Sequence, residues 1–237
     1  MPTPSRASVT TDHRFYLVVC GAFLALVFWT FGRSYYLKSF FDIPPLTPLI
    51  HVHGVAMSGW VVLLAAQSWL AAARRIRWHR RLGWVGALWA VFVLVMGSTT
   101  TLAASAREVH AHGPLARIQV TVTGLELVQM LLFAGLVIAA IVLRNRPDYH
   151  KRLMLLTIAC LMPSAIARLP VEFIDNRFIL WIGDAFVLAC VGFDSWRRHR
   201  LHPAFAWGAV LVVGLLHAAF QFAQTSMWYA LGSSIVS

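Results

Sequence analysis

Apolar residues dominate long stretches of this chain, and the polar positions between them are short and charge-rich. Seven such stretches stand out, at 15–31, 48–73, 82–105, 118–143, 153–169, 178–195 and 204–228. A helix needs about 20 apolar residues to cross a bilayer, so the pattern predicts an all-α, polytopic membrane bundle of seven transmembrane helices. Strands are not needed, because a segment in lipid must satisfy its own backbone hydrogen bonds. The first stretch, Phe15 to Phe31, has no small-residue cleavage site after it and reads as a retained span. The predicted organisation is a cytoplasmic tail over 1–14, one transmembrane domain over 15–230 and an outer tail over 231–237. Pro44, Pro45 and Pro48 keep the first outer connection out of a helix, and Pro163 predicts a kink in the fifth span.

Composition agrees with a lipid-embedded chain. Of 237 residues, 59% are apolar and 12% charged, about half the charged share of a soluble domain. Mean hydropathy is +0.70. The net charge of +11 would suggest nucleic acid in a soluble protein, but here the charges cluster between apolar runs. That placement points to anionic lipid head groups and to topology instead. Arg6, Arg14 and the connections at 74–81, 144–152 and 196–203 hold fourteen Lys and Arg. The opposite side holds five, Arg33, Lys38, Arg107, Arg117 and Arg177, with Arg168 at the end of a span. The bias puts the N terminus in the cytoplasm and the C terminus outside. Cys20, Cys160 and Cys190 fall inside apolar runs without CxxC spacing and read as small buried hydrophobes.

One local pattern recurs on the cytoplasmic side: Trp78-His79-Arg80-Arg81-Leu82, Tyr149-His150-Lys151-Arg152-Leu153, and Trp196-Arg197-Arg198-His199-Arg200-Leu201-His202. Each is a head-group anchor and topology signal, or an anionic pocket for haem propionates, a quinone-sized ligand or a lipid phosphate. On the outer side HxHG occurs twice, at His51 to Gly54 and His110 to Gly113, which makes His51, His53, His110 and His112 candidate ligands to one metal ion. Residues i and i+2 of a helix lie about 200° apart, so His51 and His53 cannot both face one interior point if both are helical.

Ionisable side chains at membrane depth are costly and face a cavity or a partner. His53, Glu126 and Asp184 lie roughly 7 to 12 Å below the outer ends of their spans. With Arg168 reaching down from the end of the fifth span, Glu126, Gln129, Arg168 and Asp184 form a candidate intramembrane polar network. His217 sits near the middle of the seventh span and shares a helical face with Gln221, Gln224 and Trp228. Interhelical hydrogen bonding among these polar side chains is the simpler alternative. No GxGxxG, Walker loop or HExxH motif is present, and no serine has a His and acid partner in motif context, so no motif assigns an enzyme activity.

His51-Val52-His53-Gly54 with Trp60 and Gln67, His79-Arg80-Arg81-Leu82-Gly83, and His150-Lys151-Arg152-Leu153-Met154 with Ala167-Arg168-Leu169 together resemble a widespread group of uncharacterised bacterial multi-spanning membrane proteins. The resemblance covers about residues 15–210. It implies the seven-span topology and a multi-pass place in a bacterial inner membrane, and it implies no activity. His110 to Gly113 and His217 are not part of the shared pattern. A looser resemblance is to b-type membrane cytochromes, in which histidines of neighbouring spans clamp haem. Gln67 stands fourteen residues beyond His53, where a second histidine on the same helix would be needed, so only a single-haem version is compatible.

Four functions stay open. The first is a redox or cofactor protein holding haem b or a transition metal in the outer half, with His53, His217, Arg168, His79 and His150 as cofactor-binding candidates. The others are an accessory subunit of a larger membrane complex, a small-solute or proton-coupled permease using Glu126, Asp184, Arg168 and His217, and a membrane zinc hydrolase. The last is disfavoured because Gln221 stands where a second histidine would follow His217.

Overall fold

The computed structural model describes residues 6–169 and 176–236. Among them the chain is helical throughout, with no strand, in eight α-helices: α1 (Arg6–Thr30), α2 (Pro48–Ala72), α3 (Ile76–His110), α4 (Ala116–Val142), α5 (Pro147–Ile166), α6 (Asn176–Arg198), α7 (Pro203–Ala223) and α8 (Ser226–Val236). Five, α2, α3, α4, α6 and α7, are long and apolar enough to cross a membrane, and Arg14–Thr30 of α1 is a shorter apolar stretch. The chain is thus an all-helical protein of integral-membrane character. Its residues divide into two compact units, Met1–Val93 with 168–170 and Leu94–Ala167 with 171–237, the division falling within α3.

In the first unit, α1 buries Cys20, Phe23, Val27 and Thr30 at spacings of three and four, one stripe of a helix, and packs on α2. Between them the chain makes a π-helical turn at Gly32–Tyr36 and a 3-10 turn at Lys38–Phe40. α2 starts where Thr47 Oγ1 accepts the Ile50 N–H and Pro48 takes the first helical position, which needs no N–H donor. α2 and the first turns of α3 are an antiparallel pair. Trp89 Nε1 donates to the Ala56 carbonyl at 2.8 Å, and His79 Nδ1 lies 3.3 Å from the Gln67 carbonyl. Gly59 permits this approach, since a Cβ there would lie 2.3 Å from the Trp89 ring. The helices join through Arg74 at φ 57°. The Arg75 N–H returns to the Leu70 carbonyl and the Arg74 N–H to Ala71, a Schellman termination.

In the second unit α5 is the central helix, packed by α4, α6 and α7. From Arg152 to Ile166 nearly every residue is buried. The sequence reading places a span at 153–169, but the helix ends at Ile166, and His150, Lys151 and Arg152 in its opening turns leave a short apolar run. The helix is enclosed by its neighbours and is not among the five that meet membrane-crossing length and composition by themselves. Pro163 lies inside α5 and deprives the Ala159 carbonyl of its donor. Beside it, Gln129 Nε2 of α4 donates to the Cys160 carbonyl at 2.8 Å, and Cys160 Sγ returns a contact to the Gln129 carbonyl at 3.2 Å.

The stretch expected at 204–228 is two helices. α7 ends at Ala223, with Gln224 as C-cap, and α8 begins at Ser226. The Trp228 indole of α8 donates to the Val120 carbonyl of α4 at 2.8 Å, and Gly124 and Gly232 leave room for that ring. Residues 231–236, read from sequence as an outer tail, therefore belong to α8, with Gly232 and Val236 buried. The break also separates Trp228 from the face that His217, Gln221 and Gln224 were expected to share with it.

Candidate functional site

The polar side chains of the second unit gather in three places. Asp184 stands on the buried side of α6, near the stripe formed by Leu180, Gly183, Val187, Cys190 and Asp194. It meets α7, where His217 Nε2 lies 2.7 Å from Asp184 Oδ2. One proton is shared across this contact, on Nε2 where Asp184 is a carboxylate. The Trp181 ring meets the imidazole edge-on, centroids 5.4 Å apart. The two side chains are 30% and 16% exposed, so the pair is held but not sealed. Such a dyad can keep, donate or accept one proton without a large rearrangement. A metal or haem iron bound at Nε2 of His217 would have to displace Asp184.

The second place lies between α3 and α4. Thr101 Oγ1 donates to Glu126 Oε2, and the Thr101 and Thr123 hydroxyls lie 3.4 Å apart. Thr101 and Thr123 are buried and Glu126 half-buried. Lipid-depth burial of a carboxylate is costly unless it accepts hydrogen bonds, and the threonine supplies one. One turn along α3, Ser105 is 1% exposed, and its Oγ has no hydrogen-bond partner among the described residues.

The third place is the end of the unit where α5 starts, α6 stops and α7 starts. Arg152, fully buried, grips Asp194 with two nitrogens: Nε to Oδ2 at 2.9 Å and a terminal nitrogen to Oδ1 at 2.5 Å. Its other terminal nitrogen donates to the Asp148 carbonyl at 2.6 Å, and its guanidinium carbon lies 5.6 Å from the Phe205 ring centre. Arg198 bridges Asp148 at 3.0 Å and Asp194 at 3.5 Å, and Lys151 reaches Asp148 at 3.4 Å. Burial pushes the Asp148 carboxyl up, but Lys151, Arg198 and Arg152 outweigh it and hold the group below its ordinary value. His202 is the N-cap of α7 and accepts the Ala204 N–H at Nδ1, 3.2 Å away, with Tyr149 edge-on to its ring. Its pKa is lowered first by burial and next by Arg152, with Asp148 and Asp194 opposing.

The remaining sequence candidates are placed as follows. His79 and His150 occupy the same position in two repeats, and each turns Nδ1 to a carbonyl of the preceding helix, His79 to Gln67 at 3.3 Å and His150 to Ala140 at 2.8 Å. The repeated motif therefore ties helix to helix, inside the first turns of α3 and α5 and not in the connections. His51 is exposed, and Tyr35 donates to its carbonyl at 3.1 Å; His53 is half-buried on α2. His110 ends α3, and His112 follows at φ 50° as the left-handed residue of a Schellman cap closed by the Gly113 N–H on the Glu108 carbonyl. The described residues hold no group of three or more His, Cys, Asp or Glu placed to bind a metal, so the four-histidine set gains no geometry. Gln129, expected beside Glu126 and Asp184 in one network, is spent on the α5 backbone. Arg168 lies over the Phe31 ring, 4.7 Å from its centre. The side chain of Arg177, used in the topology count, lies outside the described residues.

The sequence reading missed the Arg152–Asp194 clamp and Thr101 as the partner of Glu126. Part of the clamp was legible: Asp148 and Arg152, and Asp194 and Arg198, are i, i+4 pairs of opposite charge. The cross-helix pairing has no local signal.

The fold and these sites define a helical membrane protein with polar pairs built between its helices. No family model, no curated protein and no solved structure matches the chain.

Proposed function

We propose that the protein is a seven-span, proton-coupled permease for a small solute, with Asp184 and His217 as its proton-handling pair. The observation that carries this reading is the 2.7 Å contact between them, joining two membrane-length helices while leaving both side chains partly accessible. Intramembrane ionisable residues mark ion or substrate paths, and imidazole is the side chain that gains and loses a proton in the physiological range. In this reading α1 to α7 are the crossings of a bacterial inner membrane. The fourteen-to-five distribution of Lys and Arg supports a cytoplasmic N terminus and an outer C terminus.

The test is purified protein in proteoliposomes on a solid-supported membrane, perfused with amino acids, sugars and organic acids across a pH step. At least one solute should evoke a current, and Asp184→Asn or His217→Ala should reduce it at least tenfold. Currents no larger than those of empty liposomes across all classes would end the reading.

A cofactor role is a second reading, favoured by one observation. The Nδ1 contacts of His79 and His150 to backbone carbonyls resemble those by which ligating histidines are oriented. Oxidised and dithionite-reduced spectra with elemental analysis test it. A Soret band abolished by His79→Ala or His150→Ala supports it, and a colourless, metal-free sample after haem and metal supplementation ends it.

A further inference from the structure

We infer that the hydroxyl-lined seam between α3 and α4 is a binding site for one sodium ion, with Glu126 as its charge-balancing ligand and Thr101 and Thr123 as neutral oxygen ligands. Three observations converge on it. The donor set is oxygen only: the Glu126 carboxylate, the Thr101 and Thr123 hydroxyls and the Thr101 carbonyl, to which Thr123 Oγ1 donates at 3.4 Å. Oxygen donors select hard cations over soft ones. The charge count is monovalent, since Glu126 is the acidic residue of α4, and the acidic residue of α3, Glu108, sits at the helix end against Gly113. A single carboxylate at membrane depth balances one positive charge and leaves a divalent ion uncompensated.

The third observation is spacing and supply. The oxygen-to-oxygen distances of 3.4 Å around Thr101 and Thr123 are wide for hydroxyl hydrogen bonds. Oxygens at roughly 2.4 Å from a hard cation stand about 3.4 Å apart at right angles, so the Thr123 hydroxyl and the two Thr101 oxygens already have a spacing a cation can use, while the closer Thr101 to Glu126 pair has to open. Ser105 adds a further oxygen one turn away, nearly fully buried and without a hydrogen-bond partner among the described residues. A buried hydroxyl left so costs stability, and a cation ligand removes the cost. When the ion enters, the Thr101 to Glu126 hydrogen bond gives way to two oxygen–cation contacts and no covalent bond changes.

This inference stands apart from the Asp184–His217 reading, because an ion can bind without any flux, and its test measures binding alone. Detergent-purified full-length protein is assayed by equilibrium binding of radioactive sodium and by thermal denaturation in sodium, potassium and choline chloride of equal ionic strength. The expected result is saturable binding near one ion per chain and a higher melting temperature in sodium than in the other salts. Glu126→Gln and Thr101→Val should weaken binding at least tenfold, and Ser105→Ala several-fold. No saturable binding by the unmodified protein, or identical melting in the three salts, would overturn the assignment. Binding that survives in folded Glu126→Gln protein would also overturn it, by placing the ion elsewhere.

Discussion

Arg152 and Asp194, 42 residues apart in the chain, form a two-pronged ion pair that is all but sealed from solvent. It joins the first turns of α5 to the last turns of α6. The remaining guanidinium donor goes to the Asp148 carbonyl, and Phe205 of α7 covers the group. Three helix ends are thereby organised around one cation.

Removing Arg152 leaves the Asp194 carboxylate buried with only the longer Arg198 contact to offset its charge. Arg152→Met is expected to cost about 3–5 kcal/mol, while Arg152→Met with Asp194→Leu should cost much less, because both charges leave together. Chemical denaturation of the two variants in detergent checks the ordering. A double variant no more stable than the single one would contradict it.

The same cluster predicts an acid-side loss of stability. The His202 pKa lies below its ordinary 6.5, lowered by burial and by Arg152. The unfolded chain therefore binds a proton that the folded chain resists, and stability present above pH 6.5 is lost as pH falls through the folded value. Asp148, also held below its ordinary value, acts in the same direction further down, near and below its ordinary 3.8. His202→Asn keeps an N-cap for α7 and should flatten the melting temperature between pH 5 and 7. An unchanged slope would show that His202 is not its source.

Gly59 should tolerate nothing larger. A Cβ would press on the Trp89 ring, which the hydrogen bond to the Ala56 carbonyl holds in place. Gly59→Ala is expected to cost about 1–3 kcal/mol by overpacking. Trp89 fluorescence should report the displaced indole alongside the lost stability.

His112, two residues beyond the end of α3, stands at φ 50°, a conformation that glycine adopts freely and other residues do not. His112→Gly should hold or raise the melting temperature, with a gain up to about 1 kcal/mol. A marked loss would mean that the imidazole has a contact of its own worth more than the relieved backbone.

Much of the local structure was legible. Apolar runs placed the helices, and the positions of His79 and His150 declared themselves as a repeat; Thr47-Pro48 and His202-Pro203 open two helices, so Pro48 belongs to α2 and not to the non-helical connection it was expected in. The end of α7 was missed because Gln224-Thr225-Ser226 interrupts the apolar run without a glycine or proline; there Thr225 Oγ1 accepts the Trp228 N–H, and Trp228 packs α8 on α4. Counting residues groups Glu126 and Asp184 by depth but gives no partner for either. Glu126 takes Thr101 and Asp184 takes His217, where the depth argument had grouped Glu126, Gln129, Arg168 and Asp184.

By itself the sequence determined that this is a helical membrane protein, because apolar length and charge placement are properties of single segments read against a bilayer. Which helix is enclosed, which histidine holds a carboxylate and which merely staples a neighbour's backbone were decided only by tertiary structure. Those relationships depend on the rotation and register of one helix against another, set by residues such as Gly59, Gly124 and Gln129 that meet partners far away in the chain.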